Sequence, residues 1–323
     1  MSLIQPHISI IIPTYNRAHC IGVALQSVLD QSYVHWECLI VDDGSTDASK
    51  AVINSWVNKD SRFQYHTRTR LPKGAPTCRN IGLAMAQGSY VIFLDSDDYL
   101  LPHCLEQRVA EIEKNPGYDF LVFPMAIVRT GVIRKQEIPV CEDYLIPFLS
   151  ANLLWQTMCP IWKTSFLKTL NGFTEGYPRF NDPELMIRAL LTVVNSDFKV
   201  FADFEYDTVH IRETNLDVKF INKVYNSLLL FIPDITMALK QSHKINYKKY
   251  LAGYLHLWFR YIFTPTKSKN PKQSVQLLVL FYRQDIISFR KMFNLMLRLF
   301  IYVSTSLLMK QPINKLNYKY LYL

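Results

Sequence analysis

The sequence predicts an α/β protein built on a mainly parallel sheet flanked by helices, followed by a helical C-terminal region. Three observations point there. Short runs rich in β-branched and aromatic residues recur at 8–12, 36–41, 63–66 and 90–94, as in strands buried on both faces. Segments of helical spacing lie between them, the alternation of βαβ units. Three of the runs lead straight into polar or acidic loops, at Pro13, Asp42 and Asp95, and open α/β sheets bind ligands at the carboxyl ends of their strands.

The run at 8–12 is the first strand, ended by Pro13 to Asn16. Ile21, Ala24, Leu25, Val28 and Leu29 then share one face of a helix. The second strand ends in Asp42 to Asp47, where Ser45 or Thr46 can cap a helix running to about Val57. A third strand at 63–66 leads into a basic turn with Arg68, Arg70 and Lys73, then a helix over 76–86 carrying Arg79 and Asn80 near its start. A helix N-terminus with an arginine beside it suits a diphosphate; a surface ion pair is the other reading of Arg79. The helix returns into the strand at 90–94 and the carboxylates Asp95, Asp97 and Asp98. Like charges that close repel and call for neutralisation. A hard divalent cation provides it, leaving room for phosphates; a solvated acidic turn that caps a helix is the alternative. The loops at Pro13, Asp42 and Asp95, two of them acidic, should meet at one sheet edge.

The 323 residues are 49% hydrophobic and 20% charged, a globular composition. The net charge of +9 is uneven. Residues 219–323 hold 17 Lys and Arg against Asp234 and Asp285 alone, a surplus of 15, while residues 1–218 carry a net −6. The two parts are therefore expected to face different partners. Six cysteines show no CxxC and no paired spacing, as small buried hydrophobes in a reducing compartment do. No basic start followed by an apolar signal run is visible, so the expected location is cytoplasmic.

Four segments carry a resemblance: Ser9-Ile10-Ile11-Ile12-Pro13-Thr14-Tyr15-Asn16, Val41-Asp42-Asp43-Gly44-Ser45-Thr46-Asp47, Cys78-Arg79-Asn80-Ile81-Gly82 and Phe93-Leu94-Asp95-Ser96-Asp97-Asp98. In this order and spacing they resemble the inverting family-2 glycosyltransferases, with their GT-A nucleotide-sugar fold, over roughly residues 7–215. The resemblance implies that Pro13, Thr14 and Tyr15 line a base pocket. It puts Asp43, with Asp42 beside it, on a uracil or ribose, and Arg79 near a diphosphate. Asp95-Ser96-Asp97 becomes the DxD motif, Asp97 holding Mn²⁺ or Mg²⁺ and Asp95 lying near the ribose or the metal's waters. A cation held by a carboxylate and both phosphates stabilises the charge on a leaving diphosphate. The implied reaction moves a sugar from a nucleotide donor, a UDP-sugar, to a hydroxyl of a glycan or polyisoprenyl-linked glycan in surface polysaccharide synthesis.

Further along, Gly172-Phe173-Thr174-Glu175 resembles the family's "GGF-E" turn, with Asn171 replacing the first glycine. Residues 179–188 resemble its Glu-Asp…Leu…Arg motif, with Asp182, Leu185 and Arg188 in register and Asn181 where the family has Glu. The resemblance makes Asp182 the base that deprotonates the acceptor hydroxyl, with Glu184 as second candidate. The residues also read as a helix start, Asp182 at the N-cap and Pro183 at the first position. His210 resembles the family's Arg-x-His segment and would complete a metal or diphosphate shell, or else be structural; Arg212 would contact phosphate. Trp155 and Trp162 are sugar-stacking or core residues.

The expected organisation is a catalytic domain over 1–217, its nucleotide-binding part at about 7–100 and its acceptor part at about 101–217, then a basic, aromatic-rich helical region over 218–323. In that region, 264–272 is a polar, basic loop. From 273 to 309 the spacing is helical, with Arg283, Arg290, Asn294, Arg298 and Thr305 in one polar stripe. Its clean apolar runs are too short to span a bilayer. An interfacial helix on an anionic membrane fits charge and composition, with Tyr318, Tyr320 and Tyr322 at the headgroups. A helical subdomain packed on the core, or on a dimer partner, is the alternative, and the oligomeric state stays open. A sugar nucleotidyltransferase would need a glycine-rich loop after the first strand, and Pro13 to Arg17 has no glycine. A non-catalytic nucleotide-sugar or membrane-surface binding protein of the same fold is set against by the intact Asp95, Asp97 and Asp182. No nucleic-acid partner is expected, because the basic residues sit among aliphatic runs without a binding motif.

Overall fold

A computed structural model describes residues 5–194, 196–211, 217–263 and 270–309, with side chains of the last helix described to Ser304. Arg212, most of the 264–272 loop, the Thr305 side chain and Tyr318, Tyr320 and Tyr322 fall outside the described residues. The expected elements of the first part are present: β1 (Ile8–Thr14), α1 (Ile21–Leu29), β2 (Trp36–Asp42), α2 (Ser49–Lys59), β3 (Phe63–Thr67), α3 (Ala75–Met85) and β4 (Tyr90–Phe93). They are followed by β5 (Tyr99–Leu100), α4 (Cys104–Lys114), β6 (Phe120–Val122), β7 (Met125–Arg129), β8 (Val132–Lys135), α5 (Leu145–Leu149), β9 (Pro160–Lys163), α6 (Thr164–Thr169), α7 (Asn181–Thr192), β10 (Phe198–Val200) and β11 (Thr208–Ile211). The C-terminal region is helical: α8 (Val218–Gln241), α9 (Ala252–Leu257), α10 (Pro271–Arg283) and α11 (Phe289–Met309), with a 3₁₀ turn before α9 and a π turn after it.

A seven-stranded sheet runs in the order β10-β6-β9-β4-β1-β2-β3. β4, β1, β2 and β3 are parallel, and β9 enters antiparallel between β4 and β6. Every residue of β1 and β2 is buried, which explains their unbroken apolar text. Two of the buried polar side chains inside them, Ser9 and Glu37, satisfy each other. The Ser9 hydroxyl donates to Glu37 at 2.6 Å and accepts the Gly88 N–H, and Glu37 also accepts the Gln87 N–H. A four-stranded sheet, β5-β11-β7-β8, lies beside the acidic loop that follows β4.

The chain divides into two compact units. One holds the described residues of Met1–Cys141, Leu154–Tyr177 and Val193–Glu213, and contains both sheets. The other joins Glu142–Leu153 and Pro178–Thr192 to the helices from Thr214 onward. Compactness thus draws α5 and α7 to the C-terminal helices, across the boundary expected at 217. In the second unit α8 buries Leu228, Phe231, Ile232 and Ile235. The Tyr254 hydroxyl donates to the Phe148 carbonyl and the Trp258 indole N–H to the Ser274 hydroxyl, so its buried aromatic tips are paired.

Three local expectations are corrected. Ser45 and Thr46 do not cap α2, which starts at Ser49; both are tied into the loop packing described below. α7 begins at Asn181 and follows Phe180, a left-handed residue (φ 62°) whose carbonyl accepts the Glu184 N–H, so Asp182 lies within the first turn rather than at the N-cap. The 273–309 stretch is two helices, because the chain turns at left-handed Asp285 (φ 50°). Arg283 therefore leaves the stripe of Arg290, Asn294 and Arg298. Among the described residues, no helix is long and apolar enough to cross a membrane.

Candidate active site

Parallel pairing of β4 with β1 and of β1 with β2 sets their carboxyl ends on one edge. The loops at Pro13, Asp42 and Asp95 meet there, as their positions in the sequence imply. Hydrogen bonds of the ladder carry over into them: the Asp43 N–H donates to the Thr14 carbonyl, and the Arg68 N–H to the Asp42 carbonyl.

In the first loop Pro13 and Thr14 are buried and Tyr15 is half exposed. The Thr14 hydroxyl has no hydrogen-bond partner among the described residues. Asp42 is 2% exposed and engaged on both oxygens, accepting from the Gly44 and Ser45 N–H groups, the Ser45 hydroxyl and the Tyr65 hydroxyl. It builds the turn that presents its neighbour. That neighbour, Asp43, is held by the Arg68 guanidinium at 2.5 Å. Beneath it the Cys78 thiol is pushed up to about 12 by burial and by the Asp43 charge. Of these, Arg68 and Tyr65 are contributors that motif reading misses; Arg68 was visible only as part of a basic turn.

The third loop brings oxygen atoms of Asp95, Asp97 and Asp98 within 4.8 Å of one another. Each carboxylate answers to a cation or ring from a different element. Asp95 accepts from Arg79 at 2.5 Å. Asp97 faces Arg17 at 3.3 Å. Asp98 meets His210 Nδ1 at 3.0 and 3.1 Å and accepts the Ile211 N–H at 2.9 Å. The last contact follows from register. β11 pairs with β5 so that Thr208 faces Leu100 and Val209 faces Tyr99, and one further step sets His210 against Asp98.

Burial and the Asp95 charge push the Asp97 carboxyl up, against the pull of Arg17. Burial also raises Asp98, to about 6, with His210 pulling the other way. For His210, burial works downward, but the hydrogen bond to Asp98 and the charges of Asp98, Asp95 and Asp97 outweigh it and raise its pKa. Asp98 belongs to the cluster by sequence; its role as the buried partner of His210 is new.

Arg79 is 3% exposed, with its guanidinium against Asp95 and over the Phe173 ring at 4.9 Å. It is thus a buried cation that orders the DxD loop rather than a surface ion-pair residue. The next residue, Asn80, clamps the Gly172–Glu175 turn. Its amide donates to the Phe173 carbonyl and to Glu175, and its oxygen accepts the Phe173 N–H. A side chain at Gly172, which is left-handed (φ 62°), would collide with that amide. Burial would raise the Glu175 carboxyl, but hydrogen bonds from Arg70 and Asn80 hold it below its ordinary value.

In the second unit, Asp182 is half-buried in the first turn of α7. The second candidate, Glu184, is 3% exposed and bound by Arg188 at 2.6 and 2.9 Å. Trp155 and Trp162 are 3% and 2% exposed, and Trp162 packs on Phe120 and Phe166, so both are core residues.

Residues 9–166 match the family model described as Glycosyl transferase family 2. That segment is a family-2 glycosyltransferase domain. A GalNAc(5)-diNAcBac-PP-undecaprenol beta-1,3-glucosyltransferase of Campylobacter jejuni is 26% identical over 77% of this chain and 81% of that protein. The E. coli UDP-Glc:alpha-D-GlcNAc-diphosphoundecaprenol beta-1,3-glucosyltransferase WfgD is 39% identical over 33% of this chain and 42% of its own. This chain spans less than half the length of several curated relatives that it matches. Among solved structures, S. aureus TarS 1–349 in complex with UDP-GlcNAc has a TM-score of 0.69 at 21% identity, over 94% of this chain and 92% of that one. The likeness shows the GT-A fold, and Asp95, Ser96 and Asp97 follow β4 at the edge where the loops after β1 and β2 also end.

Proposed function

We propose that this family-2 glycosyltransferase transfers a sugar, with inversion, from a UDP-sugar to a hydroxyl of a glycan or polyisoprenyl-diphosphate-linked glycan in surface polysaccharide synthesis. The observation that carries the reading is the meeting of the Pro13, Asp42 and Asp95 loops on one edge, with three carboxylates within 4.8 Å. The printed names of the relatives, two undecaprenol-linked glucosyltransferases, and the UDP-GlcNAc bound to TarS support donor and acceptor class.

In this reading Pro13, Thr14 and Tyr15 bound the nucleoside site, with the unpartnered Thr14 hydroxyl available to it. Asp43 contacts uracil or ribose, oriented by Arg68 and by the turn that Asp42 builds. Arg79 holds Asp95, with Ser96 next to it in the chain, at the diphosphate end. The donor set at Asp97 is hard oxygen on a half-exposed side chain, which fits Mn²⁺ or Mg²⁺; His210 stands beside it, fixed by Asp98. When bound, the cation stabilises negative charge on the leaving diphosphate. Asp182 takes the proton of the acceptor hydroxyl, the role that the family resemblance gives it.

We place the protein on the cytoplasmic face of an anionic membrane. α11 packs into its unit through Met292, Leu295, Leu299 and Tyr302, so the helix is part of a packed subdomain. Its opposite face leaves Phe289, Phe293, Leu297 and Phe300 between 50% and 69% exposed, with Arg290 beside them. An exposed aromatic face with a basic flank is the composition of an interfacial helix.

The test is incubation with a panel of UDP-sugars and a polyisoprenyl-diphosphate-linked glycan. Transfer with UDP release and an anomeric configuration opposite to the donor's is expected. Transfer that retains configuration, or no UDP release from any donor, would contradict the proposal.

A further inference from the structure

Asp95 is paired with a buried cation, Arg79 at 3% exposure, and Asp98, itself buried, is hydrogen-bonded to His210 of β11. Asp97 is different. Its partner Arg17 lies at 3.3 Å with no hydrogen bond among those described, and both side chains are 40% exposed. Such a pair is weak, and the guanidinium is able to leave.

The backbone that carries Arg17 is not. The Asn16 N–H donates to the Ser45 hydroxyl at 2.8 Å, the Arg17 N–H to the Ser49 hydroxyl at 2.8 Å and the Ala18 N–H to Asp47 at 3.1 Å. The Asn16 side chain accepts the Thr46 N–H at 2.8 Å, and Asn16 itself is left-handed (φ 53°). Residues 16–18 are thus clamped to residues 45–49, the loop after β2. A fixed stem with a movable cation stands at the mouth of the site.

We propose that Arg17 is a donor-binding residue that works by exchange: it covers Asp97 in the empty site and turns to the donor's diphosphate when a divalent cation takes its place. This deepens the proposed function and rests on it. A metal ion and Arg17 compete for one carboxylate. A diphosphate brings the charge and the oxygen pairs that a guanidinium fork matches, as a point-charge ammonium does not. Arg79, itself buried, is already held by Asp95 and could turn to a diphosphate only by giving up that ion pair.

The exchange predicts opposite signs in two binding measurements. Arg17→Ala should tighten Mn²⁺ binding in the absence of nucleotide, by about two- to fivefold, since one exposed ion-pair competitor is gone. It should weaken UDP binding at saturating Mn²⁺ by about tenfold or more, the scale of a lost charge-assisted hydrogen bond. Arg17→Gln, which keeps the stem, should show the same pair of signs, and Arg17→Lys a smaller nucleotide defect. Mn²⁺ is titrated alone by the paramagnetic resonance of the free ion, and UDP by calorimetry. Unchanged UDP affinity in Arg17→Ala overturns the exchange while leaving the proposed function intact. Parallel weakening of metal and nucleotide also overturns it, as a merely structural role. Wild-type protein that binds no UDP with Mn²⁺ overturns both.

Discussion

Replacing Arg108 with Met tests how the site is supported from below. Arg108 and Asp207 are both fully buried, joined by two hydrogen bonds of 2.7 Å, and Arg108 also donates to the Met158 carbonyl at 3.0 Å. Asp207 immediately precedes β11, and its carbonyl accepts the Leu101 N–H. Through this pair α4 holds the strand that sets His210 against Asp98. Removing one partner of a buried pair leaves an uncompensated charge, at a cost of about 3–5 kcal/mol. The orphaned Met158 carbonyl adds about 1 kcal/mol. For a unit of this size that lowers the melting temperature by about 10–20 °C. Urea unfolding of Arg108→Met beside wild type reads this deficit directly. Arg108→Met with Asp207→Leu should recover most of the loss, since apolar replacement of a buried pair is often neutral. A deficit below about 1 kcal/mol, well under the cost of a lost buried pair, or a double variant no more stable than Arg108→Met, would sink this view of the pair.

Two further outcomes separate the roles within the reaction. Asp182→Asn should leave UDP affinity nearly unchanged while transfer falls by about 10²–10⁴-fold, the scale of general-base catalysis; comparable loss of UDP affinity would remove Asp182 from that role. Phe293→Asp with Phe300→Asp should abolish sedimentation with vesicles containing anionic lipid and spare the circular dichroism spectrum, whereas unchanged sedimentation would take the α11 face out of membrane binding.

The nucleotide end was legible because its signals are local. Buried parallel strands have apolar text on both faces, and each motif sits where such a strand ends, so β1, β2, β4 and their three loops could be placed from spacing alone. What stayed hidden depends on distant pairing. Nothing near Arg108 in sequence announces Asp207, 99 positions away, and the register of β11 on β5 that couples His210 to Asp98 is a tertiary fact. β9 enters antiparallel from beyond the first four strands, which local periodicity does not report. Arg79 was expected at the diphosphate from its helix N-terminus, while its burial against Asp95 and Phe173 needed the fold. Ser45 and Thr46 have the chemistry of caps, and the Asn16 loop competes for the same groups. In the tail, Ile286 and Ile287 continue the apolar text across the turn at Asp285, which made two helices read as one.

Calorimetric titration of UDP with and without Mn²⁺, on wild type and Asp97→Asn, decides whether Asp97 supports a metal-dependent nucleotide site. UDP binding should require Mn²⁺ in the wild type and fall at least about tenfold in Asp97→Asn, the loss of one charged contact. Equal UDP affinity in the two proteins, or affinity indifferent to Mn²⁺, would contradict it.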